Sequence, residues 1–160
     1  MQKNLCLWKS PLLQRCMLLY EIFGPPIPQK QTKFIRKTGI AYNPSKKDAD
    51  TLIWQIKPYA PATPLTCAIE MHLFFYMPIP ESTSKAKRTQ MLNGVILPTK
   101  KPDFDNLAYL VTNALKKLVY YDDSQVTDCI IRKRYDDRPR TVIKIIPLEQ
   151  LQPIGGPECA

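Results

Sequence analysis

Between Cys67 and Met77 the apolar residues Cys67, Ile69, Met71, Leu73, Phe75 and Met77 alternate with Ala68, Glu70, His72, Phe74 and Tyr76. That period of two is the mark of a strand. As the most apolar stretch, it is expected at the centre of a sheet. Met17 to Phe23 reads as another strand, ended by Pro25-Pro26-Ile27-Pro28, because proline lacks the amide that sheet pairing uses. Val126 to Tyr135 and Thr141 to Leu148 are rich in β-branched residues and flank Asp136-Asp137-Arg138-Pro139. They predict a hairpin closed by a polar turn.

Two stretches follow a helical period instead. Asn43-Pro44-Ser45 offers a helix start, after which Ala49, Leu52, Ile53 and Ile56 share one face until Pro58. Phe104, Leu107, Ala108, Val111, Ala114, Leu115 and Leu118 recur at three- and four-residue steps, predicting an amphipathic helix of about four turns. Its other face carries Asn106, Asn113, Lys116 and Lys117. Residues 82–102 hold Lys85, Lys87, Arg88, Lys100 and Lys101, no acidic side chain and little periodicity. The expectation there is a mobile basic loop, partly hairpin. The order strand, helix, strand, helix, strand, strand predicts a small α/β (mixed α+β) domain, with helices packed against a mixed sheet.

Its 160 residues suit one domain that buries a core without disulfides. Residues 1–16 have no steady period and read as an extension, with Met17 an alternative start; Lys9 and Arg15 interrupt its apolar run, which argues against a signal peptide. The segment 149–160, with its glycine pair, reads as a frayed tail. No apolar run approaches the roughly 20 residues of a membrane helix. Cys6, Cys16, Cys67, Cys129 and Cys159 form no C-x-x-C pair, so reduced thiols in a cytoplasm are expected rather than zinc ligands or disulfides. A net charge of +9 points to a polyanionic partner, most often nucleic acid. With His72 as its single histidine, the chain disfavours paired-histidine nucleases and most Ser or Cys triads. On a strand, His72 reads as structural, and Phe74, Phe75 and Tyr76 as core; Tyr120-Tyr121 fits either core or base stacking.

The candidate chemistry is acidic. Asp103-Phe104-Asp105 and Asp122-Asp123 bracket the second helix. In an extended segment Asp103 and Asp105 project to one side. If the strand that follows the helix lies beside the incoming segment, one aspartate of the second pair joins them. Three such hard oxygen donors suit Mg²⁺ or Mn²⁺, and without a cation they would repel one another. The competing reading makes Asp105 a helix cap and Asp122-Asp123 a solvated turn.

Lys101-Pro102-Asp103-Phe104-Asp105-Asn106-Leu107, the helix ending Ala114-Leu115, and Tyr121-Asp122-Asp123-Ser124-Gln125-Val126 together resemble the RusA family of Holliday junction resolvases. Gly24-Pro25-Pro26-Ile27-Pro28-Gln29-Lys30-Gln31 is similar to the proline-rich segment near the start of many members. The resemblance covers roughly residues 17–148 and leaves residues 1–16 outside. It implies a RusA-like fold and a dimeric, Mg²⁺-dependent endonuclease that cuts four-way DNA junctions symmetrically. It also implies that Asp103, Asp105 and Asp123 are the catalytic metal ligands, with no organic cofactor. Lys85, Lys87, Arg88, Lys100, Lys101, Arg132 and Arg134 are the expected contacts to DNA phosphates. The chain departs from the family at Tyr109, where members often carry a lysine four residues after the second ligand. Two alternatives stand beside this reading: a nuclease for other branched DNA, and a non-catalytic basic DNA-binding module.

Overall fold

A computed structural model describes residues 17–35 and 39–148; the expectations for residues 1–16 and 149–160 lie outside these. The elements run β1 (Leu18–Phe23), β2 (Lys33–Ile35), β3 (Ile40–Tyr42), α1 (Lys46–Ile56), β4 (Ile69–Pro78), α2 (Lys85–Leu92), α3 (Phe104–Leu115), β5 (Val126–Asp136) and β6 (Arg140–Pro147). Short 3-10 turns follow α1 at Lys57–Tyr59 and precede β5 at Asp123–Gln125.

The main sheet has the order β1-β6-β4-β5, while β2 and β3 form a separate antiparallel pair. β4 occupies an interior position, as its apolar alternation predicts. Its odd-numbered residues Ile69, Met71, Leu73, Phe75 and Met77 are all buried. They meet Tyr20 and Ile22 of β1, Ile143 and Ile145 of β6, Leu52 and Ile56 of α1, and Leu107, Val111, Ala114 and Leu115 of α3 in one core. Both long helices therefore cover one face of the sheet. Each aliphatic side chain buried there is worth about 1.5–3 kcal/mol against exposure, which is what fixes the strand faces.

Three expectations are corrected. β5 and β6 do not form a hairpin: β5 pairs parallel to β4 on one side, and β6 pairs antiparallel to β4 on the other. The short connection 137–139 passes the end of β4, whose apolar character makes it the better partner for both strands. The basic stretch 82–102 is not wholly loop or hairpin, because Lys85–Leu92 is helix α2. Its residues are good helix formers, but only Met91 is buried, so it shows no apolar stripe. Finally, Phe75 is core, but Phe74 and Tyr76 are half-buried on the opposite face. The Arg132 guanidinium lies 5.9 Å from the Phe74 ring centroid, and that of Arg140 lies 3.9 Å from Tyr76.

α3 is shorter than its apolar pattern suggests, at 12 residues. Lys116 leaves helical geometry and Lys117 takes φ 63°, so the chain turns away and Leu118 packs from outside the helix. α1 begins where expected, and its cap residue Ser45 is buried, with its hydroxyl accepting from the Lys30 amide at 2.7 Å. Among the described residues no helix is long and apolar enough to cross a membrane.

Candidate active site

α3 carries one pair of aspartates at each end. At its N-terminus Asp103 is the cap residue and Asp105 lies in the first turn; both are exposed, and the Asp103 side chain makes no capping hydrogen bond. Asp105 is thus no cap, and the Asp103 oxygens remain available. The approach to this end is fixed by residues that the linear pattern does not single out. Lys133 of β5 donates from its ammonium to the carbonyls of Lys100 at 3.1 Å and Pro102 at 2.7 Å. From the other side, the Gln29 amide donates to the Asn106 carbonyl at 2.8 Å. Pro28, Gln29, Lys101, Asp103 and Asn106 border an open cleft of about 400 Å³ here.

The C-terminal end is arranged differently. Lys116 places its ammonium 2.7 Å from Asp122 Oδ2 and 2.9 Å from Asp123 Oδ1. Those contacts raise the Lys116 pKa, first through the Asp122 hydrogen bond and then through Asp123. Asp122 is held well below the usual carboxylate range, chiefly by the Lys116 ammonium and next by the Ser124 amide. Asp122 also caps the turn that leads into β5: it accepts from Ser124 N at 3.1 Å, while Gln125 Oε1 accepts from the Asp122 amide at 2.8 Å. Gln125 Nε2 donates in turn to the carbonyls of Leu65 and Cys67, tying this end to the strand entering the sheet. Asp123 makes no capping contact of that kind. Tyr120 is buried and donates to the Thr112 carbonyl at 2.9 Å, whereas Tyr121 is exposed. Burial first, and the charge of Asp123 second, push the Tyr120 phenol pKa up.

A twelve-residue helix spans about 18 Å, so the two pairs stand far apart in one chain. The strand after α3 does not bring Asp122-Asp123 beside the incoming segment, since β5 starts at the C-terminal end of the helix and reaches Asp103's approach only at Lys133. Among the described residues no three acidic, histidine or cysteine side chains gather as a metal-holding group. Octahedral Mg²⁺ takes oxygens at about 2.0–2.1 Å. The donor types fit such a cation, but their placement within a single chain does not.

The expected DNA contacts surround β5. Lys85, Lys87 and Arg88 are exposed on α2, which packs against β5, and Arg88 pairs with Asp137. Lys100 and Lys101 lie on the exposed approach to Asp103, and Arg132 and Arg134 are exposed on β5 itself. Tyr109 points outward on α3, 57% exposed. His72 stays on the outward face of β4, beside Glu70 and edge-on to Phe74, in keeping with a structural role.

The family described as Endodeoxyribonuclease RusA matches residues 24–146 of this chain. The chain is also similar to Uncharacterized protein YqaN of Bacillus subtilis (strain 168), 32% identical over 134 residues that cover 79% of this chain and 93% of the relative. The matched span takes in both aspartate pairs, both edges of the cleft and the basic elements around β5.

Proposed function

This chain belongs to the RusA endodeoxyribonuclease family, and on that premise we propose that it is a Mg²⁺-dependent endonuclease that resolves four-way DNA junctions by paired, symmetric phosphodiester hydrolysis. The observation that carries the reading is the family match running through both ends of α3. Asp103, Asp105 and Asp123 are the proposed catalytic carboxylates, and Mg²⁺, or Mn²⁺ in its place, is the cofactor that suits their oxygens. Asp122 is left out because its carboxylate caps the turn before β5.

Support for a DNA substrate comes from charge and its placement. A net +9, with Lys85, Lys87, Arg88, Lys100, Lys101, Arg132 and Arg134 grouped around β5, favours contacts to the phosphate backbone. Such contacts set affinity and position without reading sequence, so the choice of a junction comes from its shape. A homodimer with two-fold symmetry matches the approximate two-fold symmetry of the junction and puts one active site at each of two opposed strands. The role belongs to DNA recombination and repair.

Cleavage rates on a synthetic four-way junction, a flap and a linear duplex, each with Mg²⁺ and with chelator, test the proposal. Rapid Mg²⁺-dependent cutting of the junction, with slow or no cutting of the others, is expected. Faster flap cleavage would transfer the reading to other branched DNA. Tight metal-independent binding without any cleavage would reduce the protein to a binding module.

A further inference from the structure

The turn that closes α2 holds three aliphatic side chains out into solvent in the middle of the most basic stretch of the chain. We propose that Val95 and Leu97, with Leu92 beside them in sequence, form an apolar wedge that enters the base stack where DNA strands branch. The proposal rests on the DNA-substrate part of the reading above and is independent of the metal.

The tip is firmly built. Gly94 takes φ 73° and its amide donates to the Met91 carbonyl at 3.1 Å, while the Val95 amide donates to the Gln90 carbonyl at 2.9 Å. In a helix ending of this kind the residue after the glycine commonly packs back onto an apolar side chain of the last turns. The positions that would receive it here are Thr89 and Gln90. Val95 therefore finds no apolar seat on the helix that it closes, and it is 73% exposed. Leu92 and Leu97 are 42% and 45% exposed. The far end of the segment is anchored too, since the Lys133 ammonium holds the carbonyls of Lys100 and Pro102. A protruding apolar tip between two fixed ends is suited to pushing into a partner.

What surrounds the tip selects that partner. Lys85, Lys87, Arg88, Lys100 and Lys101 are all exposed, and residues 82–102 contain no acidic side chain. The matching surface is anionic outside and apolar within. Nucleic acid fits where its stack can be opened, with phosphates for the cations and base faces for the aliphatic groups. An anionic bilayer has the same sign of charge, but Val95, Leu92 and Leu97 together carry fewer carbon atoms than one myristoyl chain, which alone anchors a protein only marginally. Placement decides further for DNA. The carbonyls that Lys133 holds lead straight into Asp103, so the tip is tied to the approach of the candidate active site. A branch point is where a wedge meets least resistance, because the stack there is already interrupted.

The full-length protein is titrated, in chelator, onto a four-way junction carrying 2-aminopurine at the branch point, and onto one carrying it in mid-arm. Unstacking raises the emission of this base analogue. Binding should raise the branch-point signal severalfold and leave the mid-arm signal unchanged. The double variant Val95→Ser, Leu97→Ser should bind the junction within about threefold of wild type, with an unchanged circular dichroism spectrum, yet give no rise; Val95→Ile with Leu97→Met should restore it. A wild-type complex without a rise, or an equal rise with the serine variant, would overturn the proposal. So would a serine variant that sediments as a smaller species than wild type, which would make the tip a contact between copies. Loss of binding to phosphatidylserine vesicles with an unaltered junction signal would assign the tip to a membrane instead. Because the signal is read without cleavage, a branch-point rise in a protein that never cuts with Mg²⁺ would overturn the nuclease reading and leave the wedge, and normal cutting without a rise would do the reverse.

Discussion

The two ends of α3 carry the same residue type in nearly the same local spacing, yet they differ in state. At the N-terminal end Asp103 and Asp105 are exposed and, among the described residues, have no salt-bridge partner. At the C-terminal end Asp122 and Asp123 share the Lys116 ammonium, and Asp122 is further engaged in capping. The difference comes from the neighbours each end is given. Lys133 directs its donors to backbone carbonyls and so shapes the first end without offsetting its charge, whereas Lys116 offsets one of the two charges at the second. One end is acidic and unpaired; the other is as open to solvent but shares an internal ammonium.

Removing one carboxylate from either end has the largest expected effect. Asp105→Asn and Asp123→Asn should each lower the junction cleavage rate by at least about a hundredfold, since losing charge stabilisation at a reacting phosphate costs several kcal/mol of barrier. Junction binding, measured by gel shift, should be unchanged or tighter. Asp122→Asn should cost less than either; a reversed order within the pair would reassign the role to Asp122. Next in size is Lys133→Met, which releases the Lys100 and Pro102 carbonyls and should slow cleavage about tenfold with Asp122 and Asp123 untouched. An unchanged rate would show that the approach to Asp103 holds itself.

Replacing Lys85, Lys87 and Arg88 by Ala should weaken junction binding and flatten its salt dependence, by up to about 0.9 in log-log slope for each phosphate no longer neutralised. A constant slope would mean that α2 faces away from DNA. The smallest expected effect concerns stability. Lys116→Ala removes solvent-screened contacts to both Asp122 and Asp123, so Tm should change little. Mn²⁺ affinity, by contrast, should rise severalfold, because the cation no longer competes with an ammonium for Asp123. A lowered affinity would make Lys116 a supporting group rather than a competitor.

Much of this layout is legible in the chain, and the failures have physical causes. β4 and α1 are readable because each buries a single face, so burial is written as a period. β5 and β6 are readable as strands but not as neighbours of β4, since sequence adjacency suggests a hairpin and says nothing of a third strand lying between. α2 buries only Met91, and β2 and β3, at three residues each, are too short to show a period. At the site, the residue types and the turn before β5 follow from local sequence. The separation of the two aspartate pairs follows from helix length, but the expectation that the chain returns beside its own entry obscures it. Lys133, Gln29 and Asn106 shape the site through long-range contacts that no local motif records.

Paired cutting of opposed strands is what sets a junction resolvase apart from a nuclease that merely tolerates branched DNA. It is read out directly on a four-way junction with each strand end-labelled in turn, incubated with the full-length protein and Mg²⁺, and then treated with DNA ligase. Cuts are expected at symmetric positions on two opposed strands, bearing 5′-phosphate and 3′-hydroxyl ends that ligase seals into linear duplexes. Cuts confined to one strand, cuts at unrelated positions, or equal cutting with chelator in place of Mg²⁺ would contradict the assignment.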